Sequence, residues 1–375
     1  MQSVAGAWLM TTLTSDALPV ALMQTATTLP AFVVGLPAGS LADRVDRRRL
    51  LLVTQAWMFV TVSLLAALTF LGGVNPLLLL AFTFVLGCGS VVNTPTWAAL
   101  LPDIVSRSQV PTAISMNSAG FNIARAIGPA VGGFLVAAAG PGASFVAVGV
   151  AFLATGVVVL RWRPTTSLRG TTSAKEPFAQ AILNGLRFTW REPAQRVVLT
   201  RSIIWMVCAS VLWGLLPLVA RRELALDASG YGLLVTSIGV GAVVGSFALP
   251  RLRQRWSTNR LLIADVVAFT AMLLILAWVP FLPLVYLMLG LGGAAWTTAN
   301  QNFQIAVQMS APAWVRARAI ATYILTFQGG QAVGAAIWGA AAERVGDPVT
   351  LTLASAGLAA GLLAAVRWPV EDQSL

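Results

Sequence analysis

The chain has 375 residues, 57% of them hydrophobic and 10% charged, with a mean hydropathy of +0.81; a chain of this make-up cannot clothe itself in a water-facing surface, so a soluble globular protein is excluded and lipid is the solvent for much of it. The formal charge of +11 would suggest nucleic acid in a soluble protein, but in a membrane protein it has to be read by position along the chain. There is no His, and Cys88 and Cys208 lie far apart in apolar stretches. Neither a disulfide framework nor a metal-type spacing is offered, and carboxylates, Arg and amides are the polar chemistry left inside the membrane.

Stretches of about twenty apolar residues, the length that crosses about 30 Å of hydrocarbon, fall in chain order at 18–41, 50–72, 76–98, 112–138, 142–160, 196–219, 231–250, 261–279, 283–308, 317–342 and 349–367. They predict an all-α, polytopic membrane protein with eleven full spans. Ahead of them, residues 3–13 are apolar over half the required length. That stretch reads as the end of a twelfth helix with a truncated start; a signal peptide is the alternative, but it would need a basic lead and a cleavage site that the sequence lacks.

Nineteen of the 24 Lys and Arg residues fall in alternate connections and the tail, namely at 44–49, 107, 161–196, 251–260, 316–318 and 367, while the intervening connections carry only Arg221, Arg222 and Arg344. The positive-inside rule then predicts cytoplasmic termini and a cytoplasmic 161–195 segment. Basic charge therefore sets topology, and nucleic acid is not expected as a partner. The 161–195 segment, with Pro164, Thr165, Thr166, Ser167, Gly170, Thr171, Thr172 and Ser173, reads as a linker between a bundle over 1–160 and a bundle over 196–375. Within it, Phe178, Ile182, Leu186 and Trp190 recur every four residues, which fits either an amphipathic helix at the interface or a solvated linker.

The two halves repeat each other. Gly35, Gly39, Ser40 and Ala42 return as Gly241, Gly245, Ser246 and Ala248, and Gly128, Gly133 and Gly140 return as Gly334, Gly339 and Gly346, all 206 positions on (241 − 35 = 206). One offset shared by sets in different spans points to duplicated bundles.

Two motifs stand out. After the first full span comes Gly39-Ser-Leu-Ala-Asp43-Arg44-Val-Asp46-Arg47-Arg48-Arg49, which resembles the cytoplasmic signature between helices 2 and 3 of the major facilitator superfamily. The resemblance implies a fold of two pseudo-repeated six-helix bundles, with the first helix truncated here, and a cytoplasmic latch formed by Gly39, Asp43, Arg44, Arg47 and Arg48. Asp46 departs from the family's usual Gly, which makes a tight loop less secure and offers a second acid to the basic cluster. The second copy, 245–260, has Pro250 and Arg251 where an acid is expected, so only the first half carries the full latch. Further on, Gly128-Pro129-x-x-Gly132-Gly133 is similar to the helix-5 signature of drug/proton antiporters and other exporters of that superfamily. Pro129 removes a backbone donor and bends the helix, and the glycines allow close packing. The segment 102–117, followed by Asn122, Arg125 and Gly128-Pro129, resembles the bacterial branch of enterobactin (siderophore) exporters.

Candidate cavity residues come from charge and amides in the spans. Arg125 lies mid-span, where a charge costs at least about 2.5–3.5 kcal/mol; it either contacts a cavity or substrate, or bonds carbonyls across the bundle. Asn117, Arg125, Gly128 and Gly132 share a stripe, with Asn122 beside it. Thr297, Gln301, Gln304 and Gln308 form a second stripe, flanked by Trp296 and Asn300; Asn93 and Trp97 lie on the third full span. Buried amides need partners, so they glue helices or line a path, and the path is the reading favoured for Asn93 and Asn300. Acids are scarce: Asp265 sits just inside its span, and Asp16, Asp227, Glu343 and Asp347 lie outside.

No Gly-Lys-Ser/Thr phosphate loop occurs and no nucleophile–base pairing is evident. The chain is thus expected to be neither an ATP-driven pump nor an enzyme, and to carry no cofactor or metal. The resemblance implies a monomeric exporter in the inner (plasma) membrane of a bacterium, moving a small organic molecule of drug or siderophore type in exchange for protons. A non-transporting scaffold or sensor, and a lipid flippase on the same fold, are the alternatives.

Overall fold

A computed structural model describes the backbone of residues 1–106, 109–162, 192–312 and 315–367; the side chains of 36–44, 99, 101–103, 111, 316–318 and 363–367 lie outside the described residues. So do residues 163–191, and with them most of the expected linker and the 178–190 stretch. Eleven helices follow among the described residues: α1 (Gln2–Leu13), α2 (Ala17–Arg44), α3 (Arg47–Phe70), α4 (Pro76–Ile104), α5 (Val110–Arg161), α6 (Pro193–Arg222), α7 (Ala228–Arg253), α8 (Thr258–Trp278), α9 (Leu282–Ser310), α10 (Arg316–Val345) and α11 (Asp347–Arg367).

Their starts are set by side chains that accept the free N–H groups of a first turn. Asp46 accepts from Arg49 N at 2.9 Å, Asn75 from Leu78 N at 2.8 Å, Asp227 from Gly230 N at 2.8 Å and Ser257 from Arg260 N at 3.3 Å. Asp46, the residue that departs from the latch pattern, therefore has a local task at the head of α3. Pro76 adds a pre-set φ at the first position of α4.

Eight of these helices are long and apolar enough to cross a membrane, and the chain is an all-α, multi-pass membrane protein. α10 carries Gln328, Gly329, Gly330 and Gln331 in its middle, which dilutes its apolarity. α5 runs for 52 residues but is broken at Gly140, with φ 79° and ψ 169°, so it supplies two arms where the sequence predicts two spans. Gly346, between α10 and α11, has φ 81° and ψ 165°. The two residues are 206 positions apart and hold one backbone conformation, in the left-handed half of φ space that glycine occupies without strain. The duplication is thus visible in backbone angles.

The described chain divides into two compact units. The first holds Met1–Ser15 and the residues from Ala26 to 162; α3 packs on α4 and α5, and α1 on α5. The second holds Asp16–Thr25 and the residues from 192 onward; α9 packs on α7 and α8, α6 on α10, and α11 on α6 and α8. The first turns of α2 thus belong with α10: Gln24 Nε2 donates to Gln331 Oε1 at 3.2 Å, Thr25 Oγ1 to the Ala332 carbonyl at 2.8 Å, and Leu18 N to Glu343 Oε1 at 3.2 Å.

In the second unit α7 and α9 meet backbone to backbone. A Cβ added to Gly241 would run into the carbonyl of Gly290, one on Gly293 into the carbonyl of Ile238, and one on Gly245 would sit 2.9 Å from Ala294 Cα. Small residues at such a crossing are what allow helices to associate where lipid gives no hydrophobic drive.

Candidate functional site

In the first unit the expected latch residues divide. Gly39, Asp43 and Arg44 belong to the last turns of α2, and their side chains lie outside the described residues. Arg47 is the first residue of α3. Arg48 reaches the end of α5, donating from Nε to the Val159 carbonyl at 3.2 Å and from Nη2 to the Leu160 carbonyl at 2.6 Å. The last carbonyls of a helix have no intrahelical donor and carry the negative end of its dipole, so a guanidinium is a fitting partner. Beneath it Leu51, Leu100 and Val159 form a buried cluster, which ties this basic end of α3 to α4 and α5.

The glycines of the helix-5 motif face α1. A Cβ at Gly132 would come within 2.7 Å of Met1 Cα, and Gly128 lies against Met1 N, its Cβ position 3.7 Å away. Gly133 is buried beside them. Pro129 lies inside a continuous stretch of α5, so the Arg125 carbonyl one turn earlier lacks its usual amide donor.

Arg125 itself is exposed. It makes no hydrogen bond or ion pair among the described residues, so within a span its charge calls for water or an anionic partner. Asn122 is half-buried and equally without a partner among them. Asn117, in contrast, accepts from Trp97 Nε1 at 3.0 Å, which links α5 to α4. Asn93 faces α3, where its Oδ1 accepts from Thr54 Oγ1 and Gln55 Nε2, each at 3.2 Å.

The second unit holds a denser arrangement. Trp296, 4% exposed, is the hub of an aromatic cluster: Trp205 at 6.1 Å, Trp213 at 5.9 Å, Phe269 at 6.2 Å and Phe327 at 5.9 Å between ring centroids. Four helices, α6, α8, α9 and α10, therefore converge on one indole, in the tilted and edge-on geometries that ring quadrupoles favour. The Nε1 donors of Trp205 and Trp213 are buried with no partner among the described residues. So are Thr297 Oγ1, Asn300 Oδ1 and both amide atoms of Asn302.

Asn300 instead offers its backbone carbonyl to Tyr323 Oη at 3.0 Å. Gln301 Nε2 donates to Ser246 Oγ at 3.3 Å. Gln304 is half-buried and makes no hydrogen bond among the described residues. Each buried polar atom left open costs about 1–3 kcal/mol, so this stretch of α9 carries polar capacity that the packed bundle does not consume. Sequence reading reaches Trp296 and Asn300 through their helical spacing; it misses Trp205, Trp213, Phe269 and Phe327, which resemble any other apolar span residues until the fold brings them together.

In the same unit, α7 and α9 wall an apolar groove of about 550 Å³, lined by Leu233, Val240, Val244, Leu287 and Leu291, with Thr236 as one of its few polar residues. The buried Thr236 Oγ1 has no partner among the described residues.

Comparisons with known proteins agree with this architecture. The family described as transmembrane secretion effector matches residues 1–374. The staphyloferrin A transporter of Staphylococcus aureus is 24% identical over 250 residues, covering 65% of this chain and 61% of its own, so that match spans under two thirds of the relative. The multidrug efflux pump Tap of Mycolicibacterium fortuitum is 23% identical over 84% of this chain and 79% of its own. Among solved structures, the nucleoside transporter NupG superposes with a TM-score of 0.75 at 14% identity, covering 100% of this chain and 95% of its own. A bacterial homologue of the human lysosomal transporter Spinster, inward-facing and unoccupied, gives 0.74 at 14% identity over 98% and 94%. By family match and fold together, this chain belongs to the transmembrane secretion effector family of the major facilitator superfamily, a family of membrane transporters and not of enzymes.

Proposed function

We propose that the chain is a proton-coupled exporter of a small organic molecule of drug or siderophore type, working by alternating access of halves at 1–160 and 196–375 joined by the 161–195 linker. It acts as a monomer in the bacterial plasma membrane with both termini cytoplasmic. The observation that carries the reading is the Trp296 cluster, where buried indole donors and the Asn300 amide oxygen stand open beside aromatic faces. Such a mixture suits a substrate that is partly flat and apolar and partly hydrogen-bonding. Within the first half, the charged Arg125 and half-buried Asn122 suit anionic or chelating groups, with Asn117, Trp97 and Asn93 as supporting members; within the second, Gln304 is a further polar contact. The names of the two sequence relatives, a staphyloferrin A transporter and a multidrug efflux pump, support transport of a molecule of this kind, and the second supports its outward direction.

The test is accumulation of ethidium and of a ferric siderophore in cells that express the chain. Expression should lower accumulation of at least one, an uncoupler should restore it, and Arg125→Ala at equal protein level should abolish the difference. Cysteines placed at Asn93, Asn122 and Asn300 should react with a water-soluble reagent; uniform protection would favour a packed scaffold instead. The apolar groove between α7 and α9 favours one further reading, a lipid flippase, and movement of a fluorescent phospholipid in proteoliposomes would select it.

A further inference from the structure

Asp265 is the one acid that the sequence places within a span, seven residues after the start of α8. Depth along the helix makes it look shallow, but its side chain is turned into the seam with α9, and Oδ2 is buried with no partner among the described residues. Its other oxygen, Oδ1, lies 2.5 Å from Thr298 Oγ1 on α9. That hydroxyl is also 3.0 Å from the Ala294 carbonyl, one turn back on its own helix, and 3.3 Å from the Ala295 carbonyl.

The proton count at Thr298 decides what this geometry means. A hydroxyl has one proton and cannot donate to the carboxyl and to Ala294 at once. If Thr298 donates to Ala294, as threonines in helices commonly do, then the short contact needs a proton on Asp265, which donates to Thr298 Oγ1. If Asp265 is ionised, Thr298 must turn its proton away from Ala294 and onto the carboxylate.

No neighbouring charge holds the ionised form. α9 has no Asp, Glu, Lys or Arg, and Tyr286 is its only titratable group. α6 brings Arg196, Arg201, Arg221, Arg222 and Cys208; α7 brings Tyr231, Arg251 and Arg253, with Asp227 before its start; α11 brings Asp347, and Arg367 with an undescribed side chain; α8 itself has Arg260. Among the described residues Asp265 makes no ion pair, and Thr298 is its one side-chain hydrogen-bond partner. Arg201 of α6, which reaches this end of α8, is engaged with Asn259 Oδ1 at 2.6 Å.

We propose that Asp265 is a proton-binding group of the second unit and that Asp265 and Thr298 form a two-position hydrogen-bond switch across the α8/α9 seam. In the protonated position a proton taken from water sits on Asp265 and is shared with Thr298 Oγ1, while Thr298 donates to Ala294. In the deprotonated position that proton has returned to water, and Thr298 donates to the carboxylate. Oδ2 then carries charge with no donor, so the seam must loosen or admit water. Proton binding thereby becomes a change in how α8 holds α9, the helix that bears Trp296 and Asn300. The role in transport rests on the exporter reading; the titration itself does not.

The experiment therefore has two arms on the full chain in proteoliposomes. The first is infrared difference spectroscopy of the carboxyl stretch across a pH titration. A protonated-carboxyl band is expected that fades as pH rises, is missing in Asp265→Asn, and has its midpoint moved upward in Thr298→Val, because the carboxylate loses its donor. Absence of any band removed by Asp265→Asn, or an unmoved midpoint in Thr298→Val, overturns the switch. The second arm is ethidium efflux driven by an imposed proton gradient. Asp265→Asn should lose the gradient-dependent part and Asp265→Glu, which keeps the carboxyl, should retain some of it. Gradient-dependent efflux that survives Asp265→Asn overturns the transport role. A wild-type chain that shows the band without moving ethidium upholds the switch and counts instead against the exporter reading.

Discussion

The α3/α4 seam of the first unit and the α8/α9 seam of the second occupy matching places in the repeat, but they place polarity differently. Counting 206 on from Gln55 and Asn93 gives Leu261 and Ala299, and counting 206 back from Asp265 and Thr298 gives Phe59 and Val92. At these four positions each seam is polar where the other is apolar. In the first, an amide oxygen receives two donors, a neutral contact that holds helices together. In the second, a carboxyl receives one hydroxyl and keeps a buried oxygen open, an arrangement suited to gaining and losing a proton. Duplication supplied one scaffold, and the polar residues within each copy separated glue from chemistry.

The neighbouring helix crossings differ in the same sense, and the largest expected effect tests them. At Gly241 an added Cβ meets the Gly290 backbone, whereas at Gly35, its counterpart, the nearest atom is Val91 Cγ1 at 3.8 Å. Backbone cannot move aside as a side chain can, so Gly241→Ala should cost at least the about 1–3 kcal/mol typical of overpacking. Gly35→Ala should be neutral or gain up to about 1 kcal/mol of helix propensity. Thermal unfolding followed by size-exclusion chromatography in detergent should show Gly241→Ala aggregated or much less stable and Gly35→Ala unchanged; equal behaviour would remove the distinction between the crossings.

A smaller effect separates the two polar seams. Asn93→Leu takes the acceptor from Gln55 Nε2, and Gln55 is 6% exposed with Oε1 already unpartnered among the described residues. Thr54 loses less, because its hydroxyl also lies 3.0 Å from the Leu51 carbonyl. Interhelical hydrogen bonds in membranes are worth about 0.6 kcal/mol on average and at most about 1.7, so the melting temperature should fall modestly. Asn93→Asp should fall further, since it brings a charge to a seam built for a neutral amide. If both substitutions leave stability untouched, Asn93 is no glue residue and the path reading gains ground.

Much of this was legible in the sequence. Span lengths give the helices, and the shared offset of Gly140 and Gly346 anticipates two residues with the same positive-φ conformation. Trp296 and Asn300 emerge from helical spacing. Other features depend on partners distant in sequence. Arg48 belongs to a motif that resembles a latch, yet the carbonyls it binds are 111 and 112 residues away. Asp265 is measured by sequence along its helix, whereas its chemistry is set sideways, by a threonine 33 residues on. Trp205 and Trp213 are apolar span residues until α6 is laid against α9.

The smallest effect distinguishes the helix starts of the two units. Asn75 at the head of α4 and Asp227 at the head of α7 accept the same kind of amide, each at 2.8 Å, but only the second can titrate. The Gly230 amide, and then the Ser229 hydroxyl, hold the Asp227 carboxyl below the usual carboxylate range. A folded-state value below the unfolded one, about 3.9, means that the cap contributes fully above that value and that its contribution is lost as pH falls through the depressed folded value. Hydrogen exchange of the 227–233 peptide should therefore accelerate below about pH 4 beyond the intrinsic pH effect, while the 75–81 peptide should not. Asp227→Asn should make the two alike, because an amide keeps the acceptor and discards the titration; persistence of the acid response in that variant would assign it to another group.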